Sequence, residues 1–313
     1  MGERENHAKA VIRAADRMRA AGLFGARREV EEAIAIRTGS PRLDHGLGGG
    51  LMSGITEIFG PESSGKTALA GFILAMAQRQ GKECALALTE DLDVDYWKDM
   101  GVDMEKTALV QAEEIGSLTQ VAEDFIKGND RVMVIDSITA LRSKKWRTVL
   151  EDFERWIGPV NDLVQFTQSN MPTSSCLVIT SQVRHRRSID PRKMFADGYD
   201  SASRSISDAF VVRLELSKTD VHDTEYRLVV NIVSNVLSSP GRYVVLPMHK
   251  GMGVMHVQDL VSFAEECGVI TKSGSWYVLP GGSRYQGLAA ATLALKADKV
   301  TQQELLDSLY NHV

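Results

Sequence analysis

Residues 60–67 read Gly-Pro-Glu-Ser-Ser-Gly-Lys-Thr, which fits the G-x-x-x-x-G-K-[ST] spacing of a phosphate-cradling loop. Gly60 and Gly65 leave the backbone free to curl around anionic oxygens, with Pro61, Glu62, Ser63 and Ser64 forming the turn between them. In that spacing Lys66 brings an ammonium to the β- and γ-phosphates of a nucleotide, and the Thr67 hydroxyl is a Mg²⁺ ligand. The flanks agree. Residues 55–59 alternate and are β-prone, which predicts a strand entering the loop. Residues 66–80 are rich in Ala, Leu, Met and Gln, which predicts a helix whose N-terminus faces the phosphates.

Three further polar residues follow apolar strands. Arg131-Val-Met-Val-Ile ends at Asp136, a carboxylate expected to hold a water on the Mg²⁺. Residues 84–89 end at Glu90, placed to polarise the water that attacks a γ-phosphate. Residues 177–181 end at Gln182, whose amide can sense that phosphate by hydrogen bonding. Ligands in open α/β sheets sit beyond the carboxyl ends of strands, where all three are expected. From pattern alone, Glu90 and Gln182 also fit plain strand-end polar residues.

The elements that must position them alternate. Apolar runs at 55–59, 84–88, 132–135 and 176–180 are separated by helical stretches at 66–80, 116–127 and 149–169. The pattern predicts an α/β fold with a mostly parallel sheet covered on both faces. Runs at 209–216, 226–233 and 242–247 predict antiparallel strands that extend it. Residues 1–36 are expected to be an amphipathic arm, with Ala8, Val11, Ile12, Ala15 and Met18 on one helix face. Residues 37–250 form the expected core. Residues 251–313 form a small α+β module with a helix at 257–267, a strand at 276–278 and a helix at 301–312.

Composition narrows the class. The 313 residues carry a net charge of −5, so nucleic-acid binding has to come from local basic patches. Cys84, Cys176 and Cys267 lack metal-ligand spacing and read as reduced thiols, which predicts a cytoplasmic protein. No apolar run is long enough to span a membrane, and no signal-peptide core is seen at the N-terminus.

Two basic segments follow the Asp136 and Gln182 strands. One carries Arg142, Lys144, Lys145 and Arg147 around Trp146. The other carries Arg184, Arg186, Arg187, Arg192 and Lys193, then Met194 and Phe195, and runs on to Arg204. Cations beside groups that can stack or wedge are suited to single-stranded nucleic acid. A solvated basic face is the other reading.

Taken together these residues resemble the RecA family of ATP-dependent DNA recombinases. The resemblance runs through Thr38-Gly39-Ser40 and 48–54, the loop at 60–66, Glu90 with Asp93 and Tyr96, Asp136-Ser137, Gln182, Lys193-Met194-Phe195 and the module around Trp276-Tyr277 and Tyr285-Gln286-Gly287. It implies a RecA-like P-loop core, with ATP and Mg²⁺ as ligands and Asp93 and Tyr96 against the adenine. It also implies catalysis by Glu90 with Lys66 and Gln182, and DNA-stimulated hydrolysis coupled to strand exchange in recombination and repair. Its implied partners are single-stranded DNA, homologous duplex DNA and further copies of the chain in a helical filament or ring. No membrane is involved, and the setting is the nucleoid or, for a phage-borne protein, the host cytoplasm.

The departures are specific. Two lysines that the family's bacterial members direct at a neighbour's γ-phosphate align with Ser234 and Val236. The paired glycines of the second DNA loop align with Ala202-Ser203, and no long acidic tail is seen before Val313. A monovalent cation such as K⁺, or Arg204, Arg242 or Lys250, is therefore expected to balance transition-state charge. Two other functions remain open on sequence grounds: an ATP-binding accessory protein without strand exchange, and a hexameric RecA-fold DNA motor.

Overall fold

The computed structural model describes residues 34–89, 93–111, 114–138, 149–182, 184–185, 199–200, 210–237 and 241–312. For 149–158, 184–185, 199–200 and 312 it describes the backbone alone. Of the expected N-terminal arm at 1–36, residues 1–33 lie outside the described residues and 34–36 form a strand.

A short strand β1 (Ile34–Ile36) pairs with β2 (Leu51–Met52), and helix α1 (Pro41–Leu47) lies between them. Ser40 caps α1 by accepting from the Leu43 N–H at 3.1 Å, with Pro41 in the first turn where its missing N–H costs nothing. Then come β3 (Gly54–Gly60), α2 (Lys66–Arg79), β4 (Glu83–Leu88), α3 (Val94–Asp99), β5 (Thr107–Gln111), α4 (Ile115–Ile126), β6 (Arg131–Asp136), α5 (Val149–Asn170) and β7 (Cys176–Gln182). Two short strands, β8 (Arg184–His185) and β9 (Tyr199–Asp200), pair with each other. The long strands β10 (Val212–His222), β11 (Glu225–Asn235) and β12 (Arg242–His249) follow, then β13 (Gly253–Val254).

Nine of these strands form one sheet in the order β13-β12-β11-β10-β3-β7-β6-β4-β5. Every pair from β10 to β5 is parallel, whereas β10 through β13 pair antiparallel. The fold is thus the expected α/β type with a mostly parallel sheet. Strand side chains alternate between two cores. Cys84 and Leu86 of β4 face α2 with Ile58, Val134 and Val178, while Ala85 and Ala87 face α4 and α5 with Met133, Ile135, Leu177 and Ile179.

The C-terminal module holds α6 (His256–Glu266), a three-stranded sheet of β14 (Thr271–Ser273), β15 (Trp276–Val278) and β16 (Arg284–Gln286), then α7 (Leu288–Ala297) and α8 (Lys299–His312). It has its own apolar cluster, including Leu260, Phe263, Ile270, Tyr277, Leu295, Leu305 and Leu309. Polar bonds join it to α1. Ser40 donates to buried Asp259 at 2.6 Å, Arg42 pairs with Asp259 at 2.9 Å, and the Tyr310 hydroxyl donates to Asp44 at 2.7 Å. Among the described residues no helix is long and apolar enough to cross a membrane.

Candidate nucleotide-binding site

Strand register gathers the site. Gly60 of β3 is opposite Gln182 of β7, Ile135 of β6 is opposite Ile179, and Leu88 of β4 is opposite Asp136. The carboxyl ends of four parallel strands therefore finish on one edge, where a crevice of about 380 Å³ opens. Its walls include Ser63, Ser64, Gly65, Lys66, Thr67, Asp93, Tyr96, Asp136 and Gln182. Ser63 and Gln182, 119 positions apart in sequence, thus share one cavity (182 − 63).

The loop is built for backbone approach. Gly65 precedes α2 at φ 101°, and Ser63 adopts φ 58°. A Cβ on Gly60 would lie 2.5 Å from the Leu216 carbonyl oxygen, so only glycine fits against β10 there. Lys66 curls back to donate to the Gly60 carbonyl at 3.1 Å and the Pro61 carbonyl at 2.7 Å. Burial pushes the Lys66 ammonium below its usual pKa, opposed by Asp136 and Glu62. The Ser64 hydroxyl is buried with no hydrogen-bond partner among the described residues. An orphaned hydroxyl, a curled cation and a glycine cradle at a helix N-terminus fit a polyphosphate.

Asp136 accepts a hydrogen bond from the Thr180 hydroxyl on β7 and faces the same crevice as Thr67. Among the described residues no three His, Cys, Asp or Glu side chains cluster as a metal cage. A hydroxyl, a carboxylate, waters and phosphate oxygens suit Mg²⁺, which keeps part of its hydration. Asp93 caps α3 by accepting from the Tyr96 N–H at 3.1 Å, which sets the Tyr96 ring into the crevice. Burial, then Asp136 and Asp93, raises the Tyr96 phenol pKa.

The other sequence candidates fall elsewhere. Glu90 lies outside the described residues, but Thr89 before it is bonded to Ser137. Arg142, Lys144, Lys145, Arg147, Arg186, Arg187, Arg192, Lys193, Phe195 and Arg204 also lie outside them. Arg184 is described in backbone only; it pairs with Asp200, so a two-residue ladder closes the base of the second basic segment. Ser234 and Val236 are at the far end of β11, where neighbouring Asn235 donates to the Leu47 carbonyl at 2.8 Å. Arg242 and Lys250 do not line the crevice.

The structure adds residues that sequence reasoning missed. Lys218 of β10 and Tyr226 of β11 line the crevice from the antiparallel side. Trp97 completes the wall beside Tyr96, as does Ser137, already singled out in the sequence, beside Asp136. Trp97 was legible as an apolar residue on α3, but nothing local marks Lys218 or Tyr226.

The RecA N-terminal domain family profile matches residues 18–149. The Protein RecA of Rhodospirillum centenum is 30% identical over 293 residues, 87% of this chain and 79% of that protein. This chain belongs to the RecA family. Other RecA relatives agree: that of Haemophilus ducreyi is 30% identical over 86% of this chain and 76% of its own length. That of Aquifex pyrophilus is 33% identical over 80% of this chain and 74% of its own. The profile spans β3, its loop, α2 and β6, so it covers the crevice wall from Ser63 to Ser137 and ends before Gln182, Lys218 and Tyr226. The relatives' alignments are long enough that they also take in the antiparallel strands.

Proposed function

We infer that this chain is an ATP-dependent recombinase. It assembles as a filament on single-stranded DNA, pairs that strand with homologous duplex, and hydrolyses ATP in a DNA-stimulated reaction. The observation that carries this reading is the common edge of β6 and β7. Asp136 and Gln182 end these strands inside the nucleotide crevice, and the two basic segments continue from the same strands. Occupancy of the crevice can thereby be felt by both segments.

In this reading the loop N–H groups and Lys66 bind the phosphates, and Asp93 and Tyr96 border the adenine. Thr67, and Asp136 through a water, would hold Mg²⁺, which when bound would supply charge to offset that of the phosphates. Glu90 accepts the proton of the attacking water. Gln182 bonds the terminal phosphate and relays its presence to the segment closed by β8 and β9. Arg142, Lys144, Lys145, Arg147, Arg184, Arg186, Arg187, Arg192, Lys193 and Arg204 meet DNA phosphates, with Phe195 against bases. Affinity for DNA then falls steeply with salt. The arm at 1–36 docks on the next protomer.

An accessory protein that binds ATP without strand exchange is a second reading, favoured by the uncharged Ser234 and Val236. Electron microscopy on single-stranded DNA with ATP, followed by a strand-exchange assay, separates them. Filaments with exchanged product support the recombinase. Filaments without product support the accessory reading, and no assembly on DNA contradicts both.

A further inference from the structure

Lys218 belongs to none of the motifs identified in the sequence, yet its setting is unusual. β10 runs parallel to β3 as far as the pairing of Glu215 with Phe59. Lys218 lies three residues further on (218 − 215), so it projects past the end of β3 and flanks the loop on the side opposite Gln182. Its ammonium sits 4.4 Å from the centre of the Tyr226 ring, a cation–π contact that holds the side chain against the crevice. Tyr226 in turn abuts the loop: a Cβ on Gly65 would lie 3.4 Å from its hydroxyl oxygen.

Charge at this position is unbalanced. Among the described residues no carboxylate forms an ion pair with Lys218, and the cation that acts on it is Lys250. Burial and that like charge both lower the Lys218 pKa. A cation held near another cation, facing a cavity and lacking a described counter-ion, is arranged for an anion supplied from outside. Among the described residues the charged side chains lining the crevice are Lys66 and Lys218 against Asp93 and Asp136, which sum to zero (2 − 2). Among those described side chains, only Lys66 and Lys218 can meet the negative charge of a nucleotide polyphosphate.

We propose that Lys218, steadied on the Tyr226 ring, is a second phosphate-binding cation that the nucleotide's own subunit supplies to the polyphosphate. The inference rests on the nucleotide-site reading above. Because the cation comes from the same chain, its effect is present before any assembly on DNA.

The test is calorimetric titration of ADP and of a β,γ-imido ATP analogue, with Mg²⁺ and without DNA. The proteins compared are wild type, Lys218→Met, Lys218→Arg and Lys66→Ala, with thermal melts confirming that each is folded. Lys218→Met should weaken both nucleotides about tenfold, ~1.4 kcal/mol. Lys218→Arg should stay within about twofold of wild type, since it keeps the charge. The Met deficit should shrink at high salt because the site is open to solvent. Wild-type affinity in Lys218→Met overturns the proposal, as does equal weakening in Met and Arg, which marks a packing role. Failure of the site reading looks different: wild type then binds neither nucleotide, or Lys66→Ala binds both as wild type does.

Discussion

The Thr89 hydroxyl accepts from the Ser137 N–H at 3.1 Å and donates to the Ser137 carbonyl at 3.1 Å. The Thr89 N–H donates to the Asp136 carbonyl at 3.2 Å, so the last residues of β4 and β6 are tied together. Thr89 immediately precedes Glu90, and Ser137 immediately follows Asp136. One hydroxyl therefore ties the residue before the proposed catalytic carboxylate to the residue after the proposed Mg²⁺-side carboxylate.

Thr89→Val keeps the side chain's shape and removes that hydroxyl. Misplacing a catalytic group by about 1 Å can cost ~100-fold in rate. We expect DNA-stimulated ATP hydrolysis to drop at least about tenfold while ADP affinity stays within about twofold. Steady-state kinetics paired with ADP titration provide the check, and a wild-type rate would show that the tie does not position Glu90.

Beneath the loop, buried Glu57 of β3 joins both neighbouring strands. Ser181 of β7 donates to one carboxylate oxygen at 2.6 Å, and Arg213 of β10 pairs with the other at 2.8 Å. Arg213→Met strands a carboxylate that is only 1% exposed. The expected loss is about 3 kcal/mol of stability by urea unfolding. Glu57→Leu combined with Arg213→Met removes both charges and should lose less than Arg213→Met alone. A double variant as unstable as the sum of its parts would contradict this account.

Asp44 gives a pH signature. It is fully buried and accepts from the Thr38 N–H, the Thr38 hydroxyl and the Tyr310 hydroxyl. Burial nonetheless outweighs these bonds and raises its pKa to about 6. A carboxyl raised in the folded state binds its proton more tightly there than in the unfolded chain. Its stabilising contribution is full below pH ~4 and is lost as pH rises through about 6, up to ~3 kcal/mol. The difference in unfolding free energy between wild type and Asp44→Asn should fall across that window. A difference that is flat, or rises, from pH 4 to 7 would refute it.

The part of the site legible in the sequence follows from strand burial. β4, β6 and β7 are covered on both faces, so each appears as an apolar run, and the polar residue following the run marks the crevice edge; β3 carries Thr56 and Glu57 and is marked instead by the loop it enters. β5 escaped notice because it is the sheet's edge strand, with Leu109 50% exposed. Helix α7 is apolar nearly all round, Leu-Ala-Ala-Ala-Thr-Leu-Ala-Leu, and offers no amphipathic period. Lys218 and Tyr226 follow the loop's Lys66 by 152 and 160 positions (218 − 66, 226 − 66). Only the pairing of β10 with β3 and β11 brings them to the crevice, and no local spacing encodes that pairing.

The central claim is that nucleotide in this crevice governs the grip on an unpaired strand. The most direct measurement is ATP hydrolysis with and without single-stranded DNA, for wild type and Lys66→Ala. The account predicts strong DNA stimulation in wild type and none in Lys66→Ala, whose loop has lost its cation. A wild-type rate indifferent to DNA, or stimulation that survives Lys66→Ala, would contradict it.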